Sequence, residues 1–317
     1  MTKLDLLEFL KKNQYKYVSG EELAVHFGVT RAGVWKHIKK LQEEGVKIEG
    51  VTNKGYKLAQ SLLCEDEILG EVDQTFFGDY KFEKISCEVF ESIDSTNTYA
   101  KTKQIKGLHL YCSSEQTAGR GRRGNEFYSP KNTGVYFSLA FNPKSDAENI
   151  FTVAAAVATN AVLSKTCGEN TKIKWVNDIY FKNRKVCGIL TEGTFDFETA
   201  QLSEVIVGIG INLETTDFPD DIATKAGSLG AVCNHNKIIG EIMNEFFKTL
   251  SLSTKEIIKL YSENSMVLGN HVEFLWEGKK RIAIATHFTL EGNLVCQSGE
   301  KEYVLKAGEI SVLGVRG

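Results

Sequence analysis

Apolar and polar positions change their period along the chain, and the changes divide it into three stretches. Near the amino terminus apolar side chains recur at helical spacing: Leu4, Leu6, Leu7 and Leu10 with Phe9, then Leu23, Ala24 and Phe27, then Val34, Ile38 and Leu41. Ser19-Gly20-Glu21-Glu22 has the S-x-x-E form of a capping box ahead of the second helix, Gly28 stops that helix, and Thr30 caps a third over residues 31–44. Residues 46–58 read as two short strands around Asn53-Lys54-Gly55, a hairpin signal. A helix, a glycine-centred helix-turn-helix and a hairpin, in that order, predict a winged helix.

A linker is expected over residues 59–67, after which strands alternate with longer helices. Strands are expected at 89–93, 108–113, 134–141, 171–175, 179–181, 186–192 and 204–212, and a long core helix at 147–166. Asp94-Ser95-Thr96-Asn97 leads into a short helix carrying Tyr99 and Ala100. Lys237 to Tyr261 reads as a polar, peripheral helical layer. From His271 onward the pattern is of short strands only, at 271–276, 281–289, 294–297, 303–305 and 310–313, and five strands in so short a stretch suggest a small barrel.

Composition adds bounds. With 317 residues, 42% hydrophobic and 25% charged, and three prolines beside 28 glycines, the chain is globular and long enough for two or three domains. Its longest nearly apolar stretch, 151–163, is broken by threonines and an asparagine and falls short of the roughly 20 residues that span a bilayer. The first residues hold Asp5 inside their apolar part and no small-residue cleavage pattern. Seven dispersed cysteines, with no CxxC and no histidine at ligand spacing, argue for reduced thiols rather than disulfides or a zinc site. The expectation is a cytoplasmic protein with no membrane partner. The net charge of −3 hides an asymmetry: residues 1–60 carry eleven Lys/Arg against seven Asp/Glu, net +4, which leaves −7 on the other 257. A basic module on an acidic body points to a nucleic-acid contact at one end.

Candidate chemistry follows the same division. Thr30, Arg31, Trp35 and Lys36 near the start of the third helix are placed to reach base edges or phosphates, while Lys54 and Lys57 on the wing can neutralise an adjacent backbone. A winged helix also serves as a protein-interaction module; basic residues on both elements that dock favour DNA. Further on, Gly119, Gly121 and Gly124 satisfy G-x-G-x-x-G, but a dinucleotide fingerprint opens a helix and this segment runs on to a strand. Arg120, Arg122 and Arg123 among those glycines make instead a flexible cationic loop suited to a nucleotide phosphate, although a solvated surface loop shares the pattern. Lys174, Asn177, Asp178 and Lys185 fall at strand ends and turns. One carboxylate among lysines and an asparagine suits a magnesium nucleotide; a surface salt-bridge cluster reads the same way. Gly208 and Gly210 permit close backbone approach in the strand that Asn212 ends.

DSTN at 94–97, EQTAGRGRRG at 115–124, KWVND at 174–178, RKVCGILTE at 184–192 and GIGIN at 208–212 stand in the order and spacing of biotin protein ligases. With the winged helix in front, the chain resembles the bifunctional biotin ligase and biotin operon repressor family over essentially its full length. The resemblance implies an α+β protein: a winged helix-turn-helix over 1–62, a central α/β ligase domain with a mixed sheet over 63–268, and an SH3-like β-barrel over 269–317. It implies a biotin pocket lined by Ser95, Thr96, Asn97 and Gln116, with Gly188 allowing close packing, and a loop of Arg120, Gly121 and Arg122 folding over biotin and the adenylate. Lys185 would hold the biotin carboxylate and the transferring phosphate, so that Lys185 and Arg122 are the implied catalytic residues. Lys174, Asn177, Asp178 and Asn212 would serve the nucleotide, Asp178 beside its magnesium.

The same resemblance implies ATP with Mg2+ and biotin as substrates, a biotin carboxyl carrier domain and operator DNA as partners, and a homodimer when the adenylate is bound. The barrel would help to complete the nucleotide site and dock the carrier. Two departures stand out. Val176 replaces the family's usual proline, loosening a backbone constraint beside Asn177, and residues 214–229 match the adenylate-covering loop too loosely to carry a residue over. The rival readings are a lipoate-type ligase, opposed by the GRGRRG loop and the winged helix, and a DNA-binding regulator that senses biotin without ligase activity.

Overall fold

Side-chain caps place the first three helices. Thr2 and Asp5 form a reciprocal capping box on α1 (Lys3–Lys12), Ser19 Oγ accepts from the Glu22 amide on α2 (Gly20–Phe27), and Thr30 Oγ1 accepts from the Gly33 amide on α3 (Arg31–Glu43). The box expected at Ser19 is therefore half made, and the full one stands at the start of α1. The structure, a computed structural model, describes all residues except 14, 15, 45, 59–61, 145–147, 197, 199, 200, 232, 307–311 and 317. Val34, Ile38 and Leu41 of α3 pack with Leu6, Leu10 and Leu23 in a core separate from the rest of the chain. β1 (Ile48–Val51) and β2 (Gly55–Leu58) pair antiparallel as the wing. Residues 59–61 of the expected linker lie outside the described residues, and its far end is corrected: α4 (Glu65–Gly70) already begins at Glu65, its three acidic first-turn residues suiting a helix N-terminus.

Seven strands build the central sheet: β3 (Ile85–Phe90), β4 (Leu108–Ser113), β5 (Gly134–Phe141), β6 (Lys172–Lys174), β7 (Asp178–Phe181), β8 (Arg184–Phe195) and β9 (Leu202–Asn212). Their order is β3-β4-β5-β9-β8-β7-β6, and β3 with β4 is the parallel pair. Every residue of β5 is buried, which is why it reads as one apolar run rather than an alternating one. Phe137, Leu139 and Phe141 join the large core with α6 (Glu148–Cys167) and α7 (His235–Leu250), whereas Ala140 joins a small cluster under α5 (Thr96–Lys101). Phe77, Tyr80, Phe141 and Phe247 interlock at ring centroid distances of 4.5 to 5.8 Å, each such buried side chain contributing about 1.5–3 kcal/mol. α6 is long and apolar enough to cross a bilayer; Phe151, Val153, Ala154, Ala155, Ala156, Ala158 and Leu163 bury that surface in the core.

Three expectations shift. The strand expected at 89–93 runs over 85–90, because its parallel partner β4 ends at Ser113 and the chain needs the following residues to turn into α5. Trp175 and Asn177 form the turn between β6 and β7, and Asp178 already begins β7. The layer expected at 237–261 is two helices, α7 and α8 (Thr254–Glu263), and α7 is core rather than periphery: Ile238, Ile239, Ile242, Met243, Phe246 and Phe247 are buried along its one apolar face.

At the carboxyl end, β10 (His271–Trp276), β11 (Lys279–Phe288), β12 (Leu294–Ser298), β13 (Lys301–Leu305) and β14 (Val312–Arg316) form an antiparallel sheet in the order β13-β12-β11-β10-β14. The start of the last strand, expected at Ile310, lies outside the described residues. Val272, Phe274, Ala285 and Phe288 of this sheet belong to the same continuous core as the central strands.

Candidate functional site

A cavity of about 240 Å³ opens over the middle of the central sheet, and its two ends differ in chemistry. At the first end α5 presents its amino terminus. Ser95 Oγ caps that helix by accepting from the Thr98 amide, and the Thr96 amide donates to Gln116 Oε1 at 2.9 Å. Gln116 in turn donates to Ser129 Oγ, 3.0 Å away. The Ser138 hydroxyl lies 2.7 Å from Thr96 Oγ1 and 2.6 Å from Asn97 Oδ1, while Asn97 Nδ2 donates to Leu190 O and to Glu192 Oε2. These groups, uncharged apart from the Glu192 carboxylate behind Asn97, fix one another's orientation.

The floor is β8 and β9, and glycine is what makes room there. A Cβ at Gly208 would lie 2.0 Å from Asn97 Oδ1, one at Gly210 2.5 Å from the Phe127 ring, and one at Gly188 3.1 Å from the same ring. Phe127 reaches this position because the segment read as a flexible cationic loop is a hydrogen-bonded hairpin. The Phe127 amide donates to Gly119 O and the Gly121 amide to Asn125 O, around a single 3-10 turn at Arg122–Gly124. Arg120 sits 3.6 Å from Glu192, which also takes Lys101 at 2.6 Å.

The second end is charged. Lys185 Nζ lies 2.6 Å from Asp178 Oδ1, an oxygen that is buried and makes no hydrogen bond of good geometry among the described residues. Arg122 donates to Asn177 Oδ1 at 3.5 Å. Burial lowers the Arg122 pKa, Arg123 adds to that, and Asp178 and Tyr261 oppose it. Asn177 is held by β8, its Nδ2 donating to Ile189 O at 2.6 Å and its carbonyl accepting from the Ile189 amide at 2.9 Å. The cavity contains no nucleophile paired with a histidine or cysteine base among its lining residues. What it offers is neutral hydrogen-bonding groups at one end and cations at the other, an arrangement that orients a substrate and stabilises developing negative charge.

Of the residues named from the sequence, Ser95, Thr96, Asn97, Gln116, Arg120, Gly121, Arg122, Asn177, Asp178, Lys185 and Gly188 line this one cavity, and Lys174 and Asn212 do not. Lys174 stands opposite Asp178 in the β6–β7 pair, its pKa lowered by burial against the favourable pull of Asp178. Asn212 Nδ2 donates to Gly227 O, and its Oδ1 is buried without a hydrogen-bond partner among the described residues. The segment after it is tied to the site: the Lys185 amide donates to Lys225 O, the Gly227 amide returns the bond to Lys185 O, and Arg184 donates to Ala223 O.

In the winged helix a groove of about 570 Å³ runs between α3 and the wing, lined among others by Arg31, Trp35, Lys39, Gln42 and Lys54. Trp35 is 53% exposed, unusual for tryptophan, and Lys39 lies over its ring. Lys36 is exposed on the same helix. Thr30 serves as the helix cap and Lys57 is paired with Glu49 at 3.0 Å; neither lines the groove.

Residues 89–212 match the biotin/lipoate A/B protein ligase family, and residues 2–57 match a helix-turn-helix (HTH) domain family. The bifunctional ligase/repressor BirA of Bacillus subtilis is 34% identical over 231 residues, covering 71% of this chain and 70% of that protein. The chain belongs to the bifunctional biotin ligase/repressor family. The Escherichia coli bifunctional ligase/repressor BirA aligns over 98% of this chain and 96% of its own length at 28% identity. Among solved structures, the biotin protein ligase of Aquifex aeolicus in complex with biotin and ATP matches with a TM-score of 0.62 at 26% identity, covering 73% of this chain and 98% of that one.

Within a ligase/repressor of this kind, sequence reasoning passed over Phe127, Ser129, Ser138 and Glu192, which touch or orient the cavity residues. Ser138 carried a signal: it is the single aliphatic hydroxyl in the apolar run of β5. Glu192 stood inside the quoted RKVCGILTE segment, yet only the neighbouring α5 and hairpin show what its carboxylate gathers. Ser129 and Phe127 carried none.

Proposed function

We propose that this chain is an ATP-dependent biotin protein ligase that also represses transcription. The observation that carries the ligase reading is the shared cavity: a neutral hydrogen-bonding end at Thr96, Asn97 and Gln116, and a cationic end at Lys185 and Arg122, over a glycine floor. A ureido ring is neutral and needs both donors and acceptors, whereas the carboxylate at the far end of biotin and the α-phosphate it attacks both need cations. The carboxylate oxygen attacks the α-phosphorus, pyrophosphate leaves, and biotinyl-5′-AMP remains. The ε-amine of a carrier-domain lysine then attacks the acyl carbon and AMP leaves with the bonding pair, the amine proton passing to solvent. Neither step requires a protein nucleophile, and positioning with charge stabilisation suffices.

Lys185 holds the carboxylate and the α-phosphate, Arg122 closes over the adenylate, and Asn177, Lys174 and Asn212 serve the nucleotide. Magnesium enters with the triphosphate as part of the substrate. Among the described residues no three His, Cys, Asp or Glu gather into a metal site. The single Asp178 carboxylate, whose Oδ1 is paired with Lys185 at 2.6 Å, suits an ion that keeps most of its ligands as water and phosphate.

For the repressor, the exposed Arg31, Trp35, Lys36 and Lys54 present donors and an aromatic face to operator DNA, and binding of the adenylate favours a homodimer matched to a two-fold site. Incubation with ATP and either biotin or lipoate tests the enzyme directly. Pyrophosphate release with biotin, and its absence with lipoate, is the expected result; release with lipoate alone makes it a lipoate ligase.

A further inference from the structure

We infer that the carboxyl-terminal sheet and α8 position the nucleotide turn, through Trp175 and Tyr261, two buried side chains that hold the Trp175–Val176–Asn177 segment from the side opposite the cavity. The inference rests on the reading of Asn177 and Asp178 as nucleotide contacts. Trp175 Nε1 donates to the carbonyl of Gly292, in the turn between β11 and β12, at 2.9 Å in a buried contact. One residue on, Val176 O accepts from the Tyr261 hydroxyl of α8 at 2.8 Å, also buried. Tyr261 is itself packed by the carboxyl-terminal sheet, its ring meeting that of Phe288 edge-on at 4.9 Å.

Val176, read from the sequence as a loosened point, is therefore flanked by two bonds that cross from the carboxyl-terminal half of the chain. The backbone here has little other freedom. The Ile173 amide donates to Asn264 O just before the turn and the Met266 amide to Ile173 O, and beyond it Asn177 is bonded twice to Ile189 of β8. The turn thus sits between two supports, β8 on the cavity side and α8 with the β11–β12 turn behind. Loss of the rear support frees the peptide that carries Asn177 and Asp178 while leaving the polar end, built from α5, Gln116 and β5, untouched. Trp175 and Tyr261 do not line the site cavity and are positioning residues.

Tyr261→Phe keeps the ring and removes the donor; Trp175→Phe does the equivalent at the other bond. Full-length protein is assayed by pyrophosphate release with ATP and biotin varied separately, beside thermal melting and an Asn177→Ala benchmark. Each Phe variant is expected to raise KM for ATP about tenfold, the scale of a buried carbonyl or aromatic anchor left unpaired, with KM for biotin unchanged. An unchanged KM for ATP, whether or not melting falls, overturns the inference if Asn177→Ala raises it. An equal rise in both KM values overturns it as well, as general distortion. If Asn177→Ala also leaves KM for ATP unchanged, the nucleotide reading of the turn falls, and the inference with it.

Discussion

Lys185 Nζ and Asp178 Oδ1 meet at 2.6 Å across the neighbouring strands β8 and β7. The lysine proposed to hold a carboxylate and a phosphate, and the aspartate proposed to face a magnesium nucleotide, are thus each other's counter-ion before substrates arrive. Binding exchanges one charge partner for another instead of exposing a bare charge, which keeps the desolvation cost low. Lys185→Ala is expected to abolish adenylate formation with the fold intact, read by pyrophosphate release and by circular dichroism. Near-normal release would remove Lys185 from the reaction. Asp178→Asn leaves the lysine without its partner and is expected to lower pyrophosphate release at least tenfold.

Arg122 reaches Asn177 from the tip of the hairpin, and burial works against its charge. An anion beneath it relieves that cost, so Arg122→Gly is expected to form adenylate and release it at least tenfold faster. The dissociation rate of labelled biotinyl-5′-AMP measures this, and an unchanged rate would contradict the role.

Gly208 faces Asn97 with no space for a methyl group, its notional Cβ standing 2.0 Å from the amide oxygen. Gly208→Ala must push Asn97 away from Ser138 and Glu192. A loss of about 1–3 kcal/mol of stability is expected from the overpacking, together with weakened biotin binding in calorimetry. Wild-type biotin affinity in a folded Gly208→Ala protein would show that Asn97 is not a pocket residue.

The groove between α3 and the wing makes the repressor reading separable from the enzyme. Arg31→Ala and Trp35→Ala remove groove-lining side chains from a module with its own core, so neither is expected to change pyrophosphate release. Both are expected to lose the ligand-dependent gel shift on the promoter of the chain's own operon. A wild-type protein that shows no shift with biotin and ATP would leave the module without a repressor role.

Much of the site was legible because its chemistry sits in short contiguous segments. Asp94 to Asn97, Gln116 to Gly124, Lys174 to Asp178 and Arg184 to Glu192 each carry several functional groups, and all but Lys174 of the expected ligase residues ahead of Asn212 line one cavity. Strand positions were sharpest where burial on both faces makes the pattern continuous, as in β4 and β5, both placed to the residue. They slipped where pairing, not pattern, sets the end, as in β3. α7 was misjudged because its charged positions face outward over a deeply buried apolar stripe.

The sequence by itself determined the three stretches, the helix caps at Ser19 and Thr30, the family and the cationic segment, because these depend on local spacing and on residue types that few other environments tolerate. Tertiary structure alone decided that Lys185 pairs with Asp178, that Glu192 gathers Asn97, Lys101 and Arg120, that Phe127 lies over Gly188 and Gly210, and that Trp175 and Tyr261 tie the turn between β6 and β7 to the carboxyl-terminal half. Each of these contacts joins residues that the chain separates and the sheet order brings together. No period in the sequence records such a distance, because it is set by which strands neighbour one another and by how the buried side chains between them pack.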